Sequence, residues 1–286
     1  MDLMSVSLYR AATVVGYPLI AAYLAVRKAR GKEDLNRFAE RMGFASVPRP
    51  EGKLVWLHGA SVGETLSMQP LIQKVQELYP DVNILVTSGT VTSAQLMEKR
   101  LTGKAFHQYI PVDCMPQVKR FVDYWKPDLA LWLESEFWPN ILSVISDRKI
   151  PLILINGRVS DRSFARWKKM PKFSRQLQKM FVKSFGQTQE DANRLKEIGA
   201  ENTDCIGNIK FAAAPLPVEA EHPYCGHLPP RCRIDPCINV IRRFTYGVLQ
   251  YDRILIVRPL CRIIIHTAST CCNGSPPCHS LGTPYQ

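Results

Sequence analysis

From residue 50 to about residue 215 the chain alternates short, unbroken apolar runs with stretches whose apolar positions recur every three to four residues. The runs predict strands over 54–58 (LVWLH), 82–88 (VNILVTS), 106–110, 129–133 (LALWL), 152–155 (LILI), 181–184 and 204–206. Between them Leu66, Leu71, Ile72, Val75, Leu78 and Tyr79 keep helical spacing until Pro80, and further helices are predicted over 93–101, 115–125, 139–146 and 189–198. Apolar strands separated by helices are the pattern of a parallel sheet with both faces covered. Such units over ~165 residues match one Rossmann-like, doubly wound α/β domain in size.

Residues 1–45 follow a different pattern. The segment AATVVGYPLIAAYLAV, residues 11–26, carries no charge and is followed by RKARGK. A spanning helix needs ~20 apolar residues, and adding Leu8 and Tyr9, with Arg10 snorkelling at the edge, only just approaches that length. The charges follow the apolar run instead of preceding it, which does not fit a cleaved signal peptide. The basic flank predicts that the rest of the chain stays cytoplasmic, against an anionic leaflet. The segment therefore reads as an apolar membrane-associating helix with a basic juxtamembrane stretch. A buried amphipathic helix, which Gly16 and Pro18 allow, is the alternative.

Composition sharpens this picture. The 286 residues are 46% hydrophobic and 22% charged, which supports a core and excludes disordered, collagenous and fibrous classes. Lys and Arg outnumber Asp and Glu 37 to 25, for a formal charge of +12. Near residue 220 the composition changes. Seven of the nine cysteines lie beyond it, Lys disappears, and Glu221, Asp235 and Asp252 are the only acids. No CxxC pair occurs there and the Cys and His spacings are irregular, so a zinc module is weakly supported. Residues 216–286 read as an atypical Cys/Pro/Arg-rich tail, as from a shifted reading frame. Cys114 and Cys205, alone in the body, suit a reducing compartment.

The candidate chemistry sits at the predicted strand ends, where open α/β sheets bind ligands. The first strand runs into Gly59-Ala60-Ser61-Val62-Gly63-Glu64, the second into Ser88-Gly89-Thr90, the fourth into Glu134-Ser135-Glu136, and the fifth into Asn156-Gly157-Arg158. The last is followed by Gly207-Asn208-Ile209-Lys210. HGASVGE occupies a phosphate-loop position but has Glu64-Thr65 where that loop needs Lys-Ser/Thr. Gly59 and Gly63 permit close backbone approach. Glu64, at a helix start, should be held ionised by the helix dipole and be able to accept a proton; the plainer reading is a glutamate that merely complements that dipole. Glu134 and Glu136 share one side of an extended segment, but with no His nearby a metal pair is weakly supported. Ordinary turn chemistry is the alternative for any single loop.

A second feature is a basic run. Arg158, Arg162, Arg166, Lys168, Lys169, Lys172, Arg175, Lys179 and Lys183 face only Asp161. Such runs are usually solvated faces. Interleaved with Phe164, Trp167, Met170, Phe173, Met180 and Phe181, this one points to an anionic amphiphile or a membrane surface. No recognised motif supports nucleic acid.

LHGASVGET, ESEFWPN, INGRVSDRS and IGNIKF, in this order and spacing, together with RFAERMGF, resemble the Kdo (3-deoxy-D-manno-octulosonic acid) transferases of lipopolysaccharide assembly. The resemblance covers about residues 1–215. It implies the N-terminal half of a GT-B glycosyltransferase, a Rossmann-like acceptor-binding domain over 50–215. It further implies transfer of Kdo from CMP-Kdo to the lipid A precursor (lipid IVA), with inversion, at the cytoplasmic face of the cell inner membrane, without metal or other cofactor. Glu64 matches the family's general base, Glu134 a binding-site acid and Lys210 a donor-side cation, with Arg158 a weaker match. Ser61, Gly63, Ser88, Glu136 and Asn156 are expected to line the substrate site, and Arg162, Arg166, Lys168, Lys169, Lys172 and Arg175 to hold the acceptor near the bilayer. The family's CMP-binding domain has no counterpart in the tail, so the chain is expected to be inactive alone. A non-catalytic, membrane-associated binder of phosphorylated glycolipid is the alternative function.

Overall fold

A computed structural model describes residues 5–134 and 136–209; Lys210 and the tail over 216–286 lie outside them. The N-terminal segment forms helices α1 (Val6–Val15) and α2 (Tyr17–Ala29), bent by 64° at Gly16, and a single turn, α3 (Phe38–Arg41). The α/β body then runs β1 (Leu54–His58), α4 (Val62–Ser67), α5 (Gln69–Leu78), β2 (Asn83–Ser88), α6 (Val91–Arg100), β3 (Ala105–Tyr109) and α7 (Met115–Trp125). It continues through β4 (Leu129–Leu133), α8 (Pro139–Asp147), β5 (Leu152–Gly157), α9 (Asp161–Lys168), α10 (Pro171–Gln178), β6 (Lys183–Gly186), α11 (Gln189–Glu197) and β7 (Thr203–Cys205).

The strands form one parallel sheet in the order β3-β2-β1-β4-β5-β6-β7. After β1 the chain winds to one edge, and from β4 it winds to the other. The order therefore reverses between these two adjacent strands, which opens a crevice at their carboxyl ends. The two-residue period of the strands sorts their side chains into two cores. Leu54, Trp56, Ala130, Trp132, Leu152 and Leu154 pack on one face against Phe121 of α7, Ile141 of α8 and Leu177 of α10. Val55, Leu57, Leu129, Leu131, Ile153 and Ile155 pack on the other against Ile72 of α5 and Met97 of α6. Every residue of β1, β2, β4 and β5 is buried, as a doubly covered parallel sheet requires.

The expected helix after β1 is broken. Pro70 lies at the start of α5, and its missing N–H and ring end α4 at Ser67, leaving Met68 as the joint. The N-terminal segment packs one face on the body and leaves apolar side chains exposed on the other. Its inner face is stitched to the body. Val6 joins the core and its N–H donates to Gln176 Oε1 (3.1 Å), Arg10 donates to Ser143 Oγ (3.1 Å), and Asn140 Nδ2 donates to Thr13 Oγ1 (3.0 Å). Leu24 of α2 is buried with Val112 and Cys114. The outer face leaves Val14, Val15, Leu19 and Tyr23 exposed, Val15 by 82%. Among the described residues no single helix is long and apolar enough to cross a bilayer.

Candidate functional site at the strand-order reversal

The β1–α4 turn is built around Ser61 and Glu64. Ser61 caps α4, its Oγ accepting the Glu64 N–H (3.3 Å) while its hydroxyl donates to Glu64 Oε1 (2.6 Å). The Ala60 N–H donates to Glu64 Oε2 (2.8 Å). Glu64 is 7% exposed, drawn in beneath its own turn. Gly59 makes this closure possible: a Cβ there would lie 2.5 Å from Met68 Cε and 3.1 Å from Glu64 Cβ. At Gly63, by contrast, a Cβ would meet nothing within 4 Å, so close packing does not require glycine there and the space beside the first turn of α4 is open.

The helix end is not the only influence on the Glu64 proton. Burial raises its pKa above the ordinary value. The Ser61 and Ala60 hydrogen bonds work against that rise, and the charges of Glu134 and Glu136 add to it. Loss of water from around the carboxylate outweighs two donors. The carboxylate thus holds a proton more tightly than a surface glutamate, which is the direction a general base needs.

Across the crevice, the ends of β4 and β5 share an unusual backbone. Glu134 and Asn156 both adopt left-handed conformations, with φ of 54° and 57°. Asn tolerates this region, but Glu pays a steric cost, and such strain collects at binding sites. The Glu134 N–H is held by the Ile155 carbonyl (3.0 Å). Fully buried Asn156 turns its Oδ1 to the Ile209 N–H (3.1 Å), tying the last loop to β5. The Glu136 carbonyl accepts from Trp132 Nε1 (2.6 Å) and its Oε2 from Trp138 Nε1 (2.8 Å). Arg158 is exposed just beyond β5. Lys210, the next residue after Ile209, lies outside the described residues.

Ser88 is fully buried at the end of β2 and bonded to His107 Nε2 (2.8 Å). The other ring nitrogen, Nδ1, faces the Arg37 guanidinium at 3.2 Å. Arginine can only donate, so Nδ1 accepts and Nε2–H donates to Ser88 Oγ. Two polar residues of these loops are helix caps: Thr90 and Ser160 accept the N–H of Ser93 and Ser163.

The basic run folds as α9 and α10, and helical geometry separates what the sequence interleaves. Phe173 and Phe181 are buried, and Phe164, Trp167, Met170 and Met180 pack against the same core. These aromatic and Met side chains are therefore turned towards the protein instead of being offered to lipid. Arg162, Arg166, Lys168, Lys169, Lys172 and Arg175 form the exposed face. Lys168 meets Glu197 at 3.6 Å, and Lys179 meets Glu201 at 2.8 Å. Lys183 is buried in β6 and paired with Asp204 at 2.6 Å.

The structure also brings together residues that no single motif joins. A cavity of about 450 Å³ lies between α1, the loop before α7, the loop before α8, and α9, lined by Tyr9, Asp113, Glu136, Phe137, Trp138 and Trp167, among others. Asp113 accepts the N–H groups of Asn140 (3.2 Å) and Ile141 (2.8 Å), capping α8 from outside. Burial pushes its pKa up to about 6, against the pull of these bonds and one from Tyr9. Glu136, Phe137 and Trp138 belong to ESEFWPN and Trp167 to the basic run, while Asp113 carries no local signal.

Fold and crevice together define a doubly wound α/β protein whose strand order reverses between β1 and β4, the place where folds of this class hold their ligands. The family model described as 3-deoxy-D-manno-octulosonic-acid transferase (kdotransferase) matches residues 36–213, and the chain belongs to that family. It is 37% identical over 204 residues to the 3-deoxy-D-manno-octulosonic acid transferase of Rickettsia bellii, covering 71% of this chain and 49% of that protein. The enzyme of the same name from Rickettsia felis is 35% identical over 201 residues, covering 70% and 42%. The chain thus spans about half the length of the relatives it matches. Among solved structures, the UDP-GlcNAc 2-epimerase of Neisseria meningitidis overlaps 57% of this chain and 48% of its own, with 16% identity and a TM-score of 0.41.

Proposed function

We propose that this chain supplies the acceptor half of an inverting GT-B glycosyltransferase. That enzyme moves Kdo from CMP-Kdo onto the lipid A precursor at the cytoplasmic face of the inner membrane. The observation that carries this reading is the Glu64 carboxylate at the strand-order reversal, with its proton affinity raised by burial. An acceptor hydroxyl entering over the open first turn of α4 takes the place of the Ser61 hydroxyl on Glu64 Oε1. As the hydroxyl oxygen bonds to the anomeric carbon of Kdo, its proton passes to Glu64, and the bond to CMP breaks with its electron pair leaving on the phosphate. The hydroxyl turns acidic only as that bond forms, so a carboxylate suffices. Glu134 and Glu136 bind substrate hydroxyls, Asn156 fixes the loop leading to Lys210, and Lys210 steadies charge on the donor side. The outer face of α1 and α2, with Arg27 and Lys28 in the last turn of α2 and Arg30 and Lys32 just beyond it, supports seating on an anionic leaflet.

The chain alone is proposed to be inactive because nothing in its tail resembles the family's CMP-binding domain. Incubation of the purified chain with radiolabelled CMP-Kdo and lipid IVA is expected to give no product; measurable transfer would overturn this. Joining residues 1–215 to the unmatched part of the Rickettsia bellii relative is expected to restore transfer. Glu64→Gln in that fusion should cost ~10²–10⁴ in rate and leave lipid IVA retention unchanged. Transfer that survives the substitution removes Glu64 from the mechanism. Retention with no transfer from any donor half favours the non-catalytic glycolipid binder.

A further inference from the structure

We infer that the cavity between α1, α8 and α9 binds a primary ammonium group, carried by the headgroup of an aminophospholipid. The site stands apart from the acceptor reading above and shares with it only the seating of α1 and α2 on a bilayer.

At about 450 Å³ the cavity falls within the ~300–1,000 Å³ of small-molecule sites. Two partly buried carboxylates, Asp113 and Glu136, line it. The bonds that reach them come from neutral donors: the Asn140 and Ile141 N–H groups and the Tyr9 hydroxyl for Asp113, and the Trp138 indole for Glu136. Neither carboxylate forms an ion pair with a described residue, so a cation entering here meets charge that N–H dipoles offset only in part. Asn140 adds to the surplus of acceptors. Fully buried, it spends Nδ2 on Thr13 Oγ1 (3.0 Å) and the Asp113 carbonyl (2.7 Å), and its Oδ1 finds no donor among the described residues. The hydroxyl of Tyr9 and the Nε1–H of Trp138 are already given to the carboxylates. A ligand here must donate, and an ammonium brings three N–H donors and no acceptor. Glu136, assigned above to substrate hydroxyls, has lone pairs for both.

The aromatic wall suits the same group. Phe137 and Trp167 stand with ring planes 68° apart and centroids 5.7 Å apart, and Tyr9 and Trp138 line the cavity with them. The negative faces of such rings attract a cation, Trp most strongly. A quaternary ammonium would satisfy the rings but donate nothing to the oxygens. A hard divalent metal ion takes about six oxygen ligands, and the described residues contain no group of three or more His, Cys, Asp or Glu that could hold one. The neighbours of the cavity favour a lipid as the carrier. Val14 and Val15 are exposed on α1 within about two turns of Tyr9, and exposed Arg166 adjoins Trp167 on α9. A lipid whose ammonium enters the cavity therefore has apolar surface for its chains and a cation for its phosphate.

The test is saturation-transfer NMR on the full 286-residue chain, irradiating aromatic protons, with ethanolamine as probe. Transfer to its methylene protons is expected, and choline should give less. Asp113→Asn and Glu136→Gln, which remove charge and keep an oxygen acceptor, should each reduce the transfer roughly three- to tenfold. Glu136→Gln carries the test if Asp113→Asn loosens α8. Vesicle sedimentation then compares phosphatidylglycerol diluted with phosphatidylethanolamine against the same fraction diluted with phosphatidylcholine. The first should hold the chain about threefold better, and both substitutions should erase that difference while leaving binding to phosphatidylglycerol. Absence of transfer, transfer indifferent to both substitutions, choline equal to ethanolamine, or displacement by an equal concentration of Mg²⁺ overturns the site. Transfer to ethanolamine without a preference for phosphatidylethanolamine keeps the ammonium site and overturns the lipid as its carrier. Loss of all vesicle binding with the ethanolamine signal intact counts against the bilayer seating proposed above and leaves the site standing.

Discussion

Acidification should destabilise this fold through two histidines. His58 is buried at the end of β1 and His107 in the middle of β3, and burial pushes the pKa of each down to about 3, with Arg41 and Arg37 adding to the effect. In the unfolded chain each titrates near ~6.5. Below that pH only the unfolded state gains the protons, so stability is complete above ~6.5 and is lost as pH falls towards 3. From pH 7 to pH 5 each histidine costs ~2 kcal/mol, and the pair ~4 kcal/mol. Asp113 works against them. Its carboxyl, held up at about 6 by burial, regains a proton in the fold before the unfolded chain does, which returns ~1.3 kcal/mol over the same interval. Glu64 contributes with the same sign. The net loss, up to ~2.5 kcal/mol, is a large share of the ~5–15 kcal/mol of an ordinary domain. Urea unfolding followed by tryptophan fluorescence at the two pH values measures it, since Trp56, Trp125 and Trp132 are fully buried reporters. His107→Gln, which keeps an acceptor and a donor between Arg37 and Ser88, should remove ~2 kcal/mol of the pH dependence. Equal or greater stability at pH 5, or an unchanged dependence in the variant, refutes the reasoning.

Three further outcomes follow from particular contacts. Asn156→Ala should cost ~2 kcal/mol, about half for a non-glycine left-handed residue and half for the lost acceptor of the Ile209 N–H. Asn156→Gly should cost only the second half, and equal losses in the two variants would refute the division. Gly186→Ala places a Cβ 2.6 Å from the Ala192 backbone nitrogen, so β6 and α11 must separate; a loss of ~1–3 kcal/mol is expected, and an unchanged melting temperature would contradict it. Ser61→Ala removes the cap of α4, worth ~1 kcal/mol, and a donor to Glu64. An NMR titration should find the Glu64 carboxyl shifted upward, and a downward shift would show that some other group sets its proton affinity.

The sheet was legible in the sequence because a strand covered on both faces is apolar at every position, and that leaves an unmistakable run. Where the run is impure, the reading slips. The sixth strand is expected over 181–184 and forms Lys183–Gly186, because apolar Phe181 and Val182 precede the strand while its own first and last residues are Lys and Gly. Pro70 announces the joint at Met68, but the apolar spacing continues across it and masks the break. The crevice could be located because its loops follow the strands in order. Its strain could not, because nothing in a glutamate codon announces a left-handed residue at position 134. The cavity was hidden for a different reason: its walls come from positions 9, 113, 136–139 and 167, and no local period records a meeting so distant along the chain.

The anchoring of α1 has a consequence for biosynthesis. Val6 waits for Gln176 and Arg10 for Ser143, so a greasy leading segment leaves the ribosome long before its docking surface has been made. At ~5–20 residues per second that interval lasts on the order of ten to thirty seconds. During it the nascent chain has an uncovered apolar face to offer to whatever surface lies near the exit tunnel.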